Sequence, residues 1–536
     1  MASNTRVGQV ILKGGLNLAA SVLELDPGEC TQLNNYEVNT LGRYQRCLGF
    51  ERFDGKTAPS SVIAASLPGY PFADDESEAL AIASQQEVLR SLILPVPGSG
   101  RVLGCFVFNG VTYAFRNNAD GTAANLWRSS AGGWQPVSTP TLLPNGRYQA
   151  VLTNFTGSAG TKEIIGVDGV NKAFRFNGTT FTQLTGPITP DAPTYVEVLP
   201  SQVLLLGYRK GSLVFSGVGD PTKWSAVDGG GEIAVADEIT GLAVQPDNSC
   251  AVFCRNRTYV LYGKTKADFN LTTLSSSTGA IPNSIQSIND SVYLDDRGMT
   301  RLNRVQQFGN FDMATISQKI EPLLKRYAGR ITASFVIKSK NQYRLCFDDS
   351  TGIVVTFFGA EVAGFSTFSF GHVIRTAFSS EDDSGREVVF FGGDDGYLYQ
   401  AERGFSYDGA EYQSTMRPAF NHVGSPDAKK RWRKVVMEVD TPSSTPLSVT
   451  PDFDYSSPDT PADRTQFITA TGGGGYWDAA AWDNFSWSSA STFTADIYID
   501  GVARNMCLVV NCRSKSAPPH ILNSFLYHYS PLGLRR

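Results

Sequence analysis

Histidine is scarce in this chain, and its four copies all fall late, at His372, His422, His520 and His528. None stands beside a Gly-x-Ser-x-Gly elbow and no His-x-x-x-His pair occurs, so triad hydrolysis and helical zinc proteolysis have no foothold. These residues read as satisfied or solvent-facing imidazoles. Cys-x-x-Cys is also missing, which removes the usual zinc knuckle. The eight cysteines are scattered without a disulfide framework. Cys250 and Cys254 share one face of a predicted strand but stand too far apart to pair, so the expectation is reduced thiols of a protein made in a cytosol. No apolar run approaches the ~20 residues of a membrane helix. The opening Met1-Ala2-Ser3-Asn4-Thr5-Arg6 lacks the apolar stretch of a secretory signal. Charge is sparse too: 46 Lys and Arg against 51 Asp and Glu give a net −5. That balance argues against a whole-surface nucleic-acid binder while permitting a local basic patch.

What the chain has in quantity is glycine (52), phenylalanine (32) and tyrosine (21), the composition of many short strands and turns. One pattern returns between about residues 105 and 400: an apolar strand, a tight polar turn, and a second strand rich in aromatic or branched residues. It reads Phe106 to Tyr113 around Asn109-Gly110, Ile165 to Gly169, and Tyr208 to Phe215 around Lys210-Gly211. It recurs as Val292 to Gly298 and Phe390 to Leu398, with similar units around Asn256-Arg257 and Lys340-Asn341. Asn-Gly and Asp-Gly supply the positive φ angles of two-residue hairpins. Second hairpins at Gly132-Gly133 and Asn177-Gly178 imply four strands per unit. A strand-built unit of roughly 40–50 residues is the mark of a β-propeller.

A chain of 536 residues exceeds a single core, and its texture divides it. Residues 1–60 carry the turn signals Gly14-Gly15-Leu16-Asn17 and Asp26-Pro27-Gly28-Glu29 and read as an N-terminal arm that packs on something else. The propeller is expected over 61–410. A helical insertion at about 73–92 precedes its strand-rich part, acidic in its first turn and ended by Pro95 and Pro97. A second helical stretch is predicted over Ile316 to Tyr327. Residues 411–536 alternate strands with Pro/Ser/Thr/Asp loops and predict a C-terminal β-sandwich. The fold class is all-β.

Candidate chemistry is thin. Gly-Lys-Thr at Gly55 and Gly263 lacks the earlier glycine of a phosphate-binding loop. The acid pairs Asp295-Asp296, Asp348-Asp349, Asp382-Asp383 and Asp394-Asp395 could serve glycan cleavage, but all sit at predicted hairpin tips, where aspartate bonds its own turn. Asp452 and Asp454 lie two apart without a calcium-loop pattern. Trp477, Trp482 and Trp487 suit either a carbohydrate platform or sandwich packing, the second being the ordinary use. No catalytic, cofactor or metal residue is assigned. The densest charge run is Lys429-Lys430-Arg431-Trp432-Arg433-Lys434, read as a candidate protein interface or DNA-phosphate contact. Alternation along a strand puts the Trp432 indole opposite Arg431 and Arg433, so Trp432 is expected to anchor the segment while the two guanidiniums face a partner.

Several stretches resemble structural proteins of bacteriophage tails and virions. They are Gly14 to Asn17, Leu25 to Glu29, Leu33-Asn34-Asn35 and Arg46 to Gly55, with Phe108 to Arg116, Ser216 to Trp224, Trp477 to Trp487 and Leu526 to Tyr529. The resemblance implies a hub or nozzle component of a short tail, below the portal and adaptor rings. It implies a ring of copies, commonly six, that retains the packaged genome and passes DNA without sequence specificity. It implies further that the chain is a virion protein assembled in the bacterial cytoplasm, not an enzyme, with no cofactor and no membrane partner. A mildly acidic wall would repel the phosphate backbone and let DNA slide. The rival reading is a glycan-binding or glycan-cleaving propeller of the same tail. An open central pocket with an arginine cluster, a tyrosine and an acid favours the rival; a centre filled by side chains favours the structural role.

Overall fold

A computed structural model describes residues 5–53, 87, 90–91, 93–303 (except 131, 159 and 289), 315–456 (except 360, 382–384 and 443), 464–471 and 492–532. Within them the chain is built from antiparallel sheets, as the hairpin series predicts. Most of the helical insertion at 73–92 lies outside the described residues, as do Asp382-Asp383 and the three tryptophans from Trp477 to Trp487; Glu87, Arg90 and Ser91 within the insertion are helical.

Seven sheets follow one another as blades. Blade 1 holds Ser99–Phe108, Val111–Asn117, Ala124–Ser130 and Gly133–Leu142; blade 2 holds Gln149–Thr153, Glu163–Val167, Phe174–Phe176 and Phe181–Gln183. Blade 3 runs through Tyr195–Val198, Leu204–Tyr208, Ser212–Phe215 and Gly231–Ala234. Blade 4 runs through Ile239–Val244, Cys250–Cys254, Thr258–Tyr262 and Asn270–Ser275. Blade 5 shows Gln286–Ile288, Asp290–Asp295 and Gly298–Arg301. Blade 6 holds Ile331–Ile337, Gln342–Phe347, Thr351–Phe358 and Glu361–Ser369, and blade 7 begins with Ile374–Glu381, Glu387–Gly393 and Leu398–Ala401. A short helix at Glu321–Tyr327, preceded by a 3-10 turn, joins blades 5 and 6 as its sequence predicts; Leu324 and Tyr327 bury its inner side.

The hydrophobic clusters lie between successive blades and close a circle. Phe106, Phe115 and Phe174 fill the space between blades 1 and 2, and Leu205, Leu213 and Val252 that between blades 3 and 4. Phe335, Val354 and Phe391 join blades 6 and 7, while Val102, Val107, Phe390 and Leu398 join blade 7 back to blade 1. This is a propeller, in which each sheet buries one face against each neighbour.

The repeated turns prove to be of two kinds. Those at Asp168-Gly169, Lys210-Gly211, Asn256-Arg257, Arg297-Gly298 and Asp395-Gly396 join the second and third strands of a blade. Asn109-Gly110 and Lys340-Asn341 join the first and second. Neighbouring strands reverse direction, so the first group lies on the disc face where each inner strand begins and the second on the opposite face.

Residues 5–53 are no separate arm; they are sewn into both parts of the same chain. Strand β1 (Arg6–Ile11) pairs with Ile521–Pro531 of the sandwich. Strand β2 (Cys30–Asn34) pairs antiparallel with Tyr412–Pro418 and meets blade 6 in parallel at Asn34 and Thr367, so one nine-stranded sheet runs from propeller into sandwich. Strands β3 (Tyr36–Val38) and β4 (Tyr44–Arg46) extend the other sandwich sheet. Strand β5 (Phe50–Arg52) supplies the outer strand of blade 7 and so closes the ring with chain from the opposite terminus. Phe50 is fully buried there, stacked 4.9 Å from Tyr407 and edge-on to Phe391 and Tyr399.

A four-membered ion cluster pins this seam. Glu37 of β3 accepts from Lys340 at 2.6 Å and from Arg344 at 3.0 Å; Glu402, just past blade 7, accepts from Arg344 at 2.7 Å and from Lys340. Burial alone would raise the Glu402 carboxyl, but Lys340 and Arg344 outweigh it and hold it at about 2 instead of 4.5.

Two outcomes follow from this architecture. Phe50→Ala leaves a cavity at the closing strand and is expected to cost about 3–5 kcal/mol in urea unfolding. Because the Glu402 pKa is depressed, its contribution is present above pH 4.5 and disappears as pH falls from there towards 2. Glu402→Gln is expected to remove about 3–5 kcal/mol at pH 7, by stranding buried cations, and to flatten that acid limb. Denaturant titrations across pH check both.

Candidate functional site at the propeller channel

Each of the seven inner strands contributes to a central cavity of about 380 Å³, among them Cys105, Gln149, Glu197, Thr240, Gln286, Ser334 and Thr376. The centre is therefore open, not filled. A second cavity of about 620 Å³ forms the mouth on the face where the inner strands begin. Arg147, Gln149, Tyr195 and Asn283 line both, so the two spaces meet at those side chains.

Arg147 is the crossbar. It leads into blade 2, yet its Nη1 donates to the Thr332 carbonyl of blade 6 at 2.8 Å. Its backbone is fixed by N–H donation to the Asp168 carbonyl at 3.0 Å. The preceding Gly146 must be glycine: a Cβ would fall 2.3 Å from Asp168 Oδ2. The next residue, Tyr148, locks the loop from the other side by stacking 3.6 Å from Phe115. Desolvation pulls the Arg147 guanidinium down to about 10, with Tyr195 opposing and Arg101 and Arg375 adding to the fall.

Glu197 is the acid on the wall of the inner cavity. Burial raises its carboxyl from 4.5 to about 7, against a weak backbone bond from Val198. At the mouth, Tyr195 is raised by burial and drawn back by Arg209 and Arg147. Asp168 is spent on its own turn, accepting from Val170 N at 2.9 Å, Asn171 N at 2.6 Å and Asn171 Nδ2 at 2.6 Å.

The candidates singled out by sequence lie elsewhere. In the basic run, Lys430–Asp440 forms a strand of the sandwich, and alternation carries two of the six residues inside. Trp432 is 1% exposed, donates to the Ala503 carbonyl at 3.3 Å and packs edge-on to Tyr527, so it does anchor the segment. Lys430 is equally buried and donates to the carbonyls of Arg504 at 2.8 Å, Ala428 at 3.0 Å and Ser425, which takes it out of any interface. Arg431 reaches Asp500 at 3.3 Å, Lys434 reaches Asp496 at 3.0 Å and Arg433 donates to Ser530 at 2.9 Å. A bulge between Trp432 and Lys434 keeps Arg433 and Lys434 together on the outer side. The run's anions are thus largely its own neighbours; Lys429 and Arg433 have no carboxylate partner among the described residues.

Asp295, Asp349 and Asp395 each accept a backbone N–H two residues on, as turn residues do. Asp452 pairs with Arg417, while Asp454 turns away at φ +50° and accepts from Arg504 N. No group of three metal-ligating side chains occurs among the described residues. His520 is buried beside Tyr36 at 2.8 Å, and desolvation with Arg46 pushes it down to about 3, so it is neutral. All eight cysteines are free and buried. No described helix is long and apolar enough to cross a membrane. Sequence reasoning missed Arg147, Tyr195 and Glu197; the only local signal was Asn145-Gly146-Arg147-Tyr148, a turn like many others.

No protein-family model matches this chain. No curated protein matches it either. Among solved structures, a virginiamycin B lyase from Staphylococcus aureus is similar at 11% identity and TM-score 0.39, over 57% of this chain and 97% of that one. YCF48 bound to D1 peptide gives 10%, 0.38, 57% and 93%, and the Pan2 WD40 domain of Neurospora crassa gives 8%, 0.36, 57% and 91%. Similarities of this size carry no argument about activity or ligand.

Because Glu197 has a raised pKa, its site is most favourable below pH 4.5 and loses stability as pH rises through about 7. Glu197→Gln is expected to raise stability by on the order of 2 kcal/mol at pH 8 and to change it little at pH 4. Thermal unfolding of both proteins at the two pH values checks this.

Proposed function

We propose that this chain is a non-enzymatic structural subunit of a phage tail, of the hub or nozzle kind. In that role it stands in a ring of copies around the DNA path, beneath portal and adaptor. The proposal starts from the resemblance above and is supported most by the route of the N-terminal segment. Residues that carry the resemblance, Leu33 to Asn35 and Arg46 to Phe53, are those that join the propeller to the sandwich and close blade 7. A continuous nine-stranded sheet with a buried ion cluster at its seam makes a stiff two-part block, which suits a wall that works by shape.

The open centre supports a second reading, a glycan-binding propeller on the same particle. Arg147, Tyr195 and Glu197 line the inner cavity together, an arginine, a tyrosine and an acid of the kind that favours a binding role. Cleavage is less well served: double carboxylate catalysis needs two facing acids, and among the described residues Glu197 is the single one on the inner wall.

Imaging of the particle that carries this chain is expected to place it in a ring on the DNA axis. Single copies on a fibre tip would refute the structural role. In the ring, Arg431→Glu with Arg433→Glu is expected to block incorporation if the run faces a protein neighbour. If it faces DNA instead, the same variant should give particles that assemble but leak genome. Full, stable particles from the double variant would make the run a solvated face.

A further inference from the structure

We infer that the mouth of the propeller channel is a binding site for a small carboxylate-bearing molecule, up to the size of a disaccharide, with its carboxylate on Arg147. This names a ligand class for the second reading above and does not depend on the tail assignment.

The charge balance of the cavity carries the inference. Four cations line the mouth: Arg101, Arg147, Arg209 and Lys210. The acid in the same wall, Asp168, has both oxygens committed to its own turn. Arg209 has a partner in Glu238 at 3.1 Å, but that pair is exposed and weak. Arg375, near enough to perturb Arg147, is held by Asp394 through two 2.9 Å bonds. Neither Arg101, Arg147 nor Lys210 has a carboxylate partner among the described residues.

Arg147 is the decisive group. It is half-buried, and a guanidinium held partly out of water favours an anion at its face. Here its neighbours are a carbonyl, a phenol and two further guanidiniums. One Nη is used on Thr332, the rest of the planar fork has no hydrogen bond to protein among the described residues, and Arg147 lines the cavities on both sides. Such a fork matches a carboxylate with two parallel bonds. Nothing about the arrangement is accidental in the backbone, since Gly146 and the Phe115–Tyr148 stack fix where the guanidinium stands.

The remaining walls argue for an organic ligand over a bare ion. Ile188, Pro190, Val170, Tyr195 and Tyr208 line the same space, with Asn145, Gln149, Thr189, Thr194, Ser212 and Asn283 as neutral polar points. A wall that mixes apolar side chains with placed polar groups, in a volume of this order, suits a small organic molecule. Glu197 lines the inner cavity beyond the mouth and, once ionised above about pH 7, repels an anion that slips deeper.

Calorimetric titration of the full chain at low ionic strength, with glucuronate, inorganic phosphate and glucose as probes, tests this. Glucuronate is expected to bind saturably with Kd on the order of 1 mM and at least about tenfold more tightly than either other probe. Sodium chloride should weaken it. Arg147→Gln should abolish binding. Because that variant also loses the tie to Thr332, the rim variant Arg101→Gln with Lys210→Gln serves as a second arm and should weaken binding several-fold while leaving the unfolding midpoint unchanged. Phosphate bound as tightly as glucuronate would overturn the organic ligand in favour of a plain anion cradle. Glucose bound as tightly as glucuronate would overturn the carboxylate assignment and leave the glycan-binding reading standing. No saturable binding of any probe, or unchanged binding in the rim variant, would overturn the site itself.

Discussion

Everything in this molecule hangs on the closure of blade 7 by Phe50–Arg52 and on the ion cluster beside it. A propeller is a ring with a seam, and an open seam leaves one blade with an unpaired edge and a half-exposed core face. Here the closing strand comes from the N-terminal segment, after that segment has already threaded the sandwich. Closing the ring and joining the domains are therefore one event. Two acids and two bases from three distant parts of the chain meet at that place with their charges balanced. Burying such a group is costly unless all members are present, so the cluster specifies one arrangement more than it adds stability.

The same closure makes the channel. Only when seven inner strands stand in a ring does Arg147, from the approach to blade 2, find the Thr332 carbonyl of blade 6. The site at the mouth is a by-product of geometry: the turns between second and third strands gather on one face and bring their side chains to the axis. On blades 2 and 3 those turns present Val170, Arg209 and Lys210 to the mouth. On blades 4, 5 and 7 the same positions are taken up by exposed ion pairs, Arg255 with Asp296 and Arg375 with Asp394. The face is thus electrostatically lopsided, cationic where the cavity opens and neutralised elsewhere.

Stiffness and an open pocket are not in conflict. The sandwich holds its own charge run quiet, with Lys430 and Trp432 turned inward and Arg431 and Lys434 paired along the strand surface. What the run offers outward is short: Lys429, Arg433 and the two weakly paired neighbours. The charge run of the sandwich and the cavity at the propeller axis lie on different surfaces of the protein.

The hairpin turns were legible in the sequence because their cause is local. Asn-Gly and Asp-Gly readily supply the positive φ of a tight turn, and alternation of apolar residues marks each strand on either side. For the same reason the inward Trp432 and the turn bonding of Asp295, Asp349 and Asp395 could be read in advance, whereas Asp296, Asp348 and Asp394 are held by arginines instead. The two kinds of turn could not be separated, because a hairpin looks alike whether it joins strands one and two or two and three. Likewise, Arg46 to Arg52 held no sign that it would pair with residues some three hundred and fifty or more positions away. Pairing at that distance is decided by which edge is left open, a property of the assembled ring. Arg147, Tyr195 and Glu197 were invisible for the same physical reason. Each is an ordinary residue at the start of an inner strand, and only the closing of seven blades brings them to one axis, strips their water and gives them altered proton affinities.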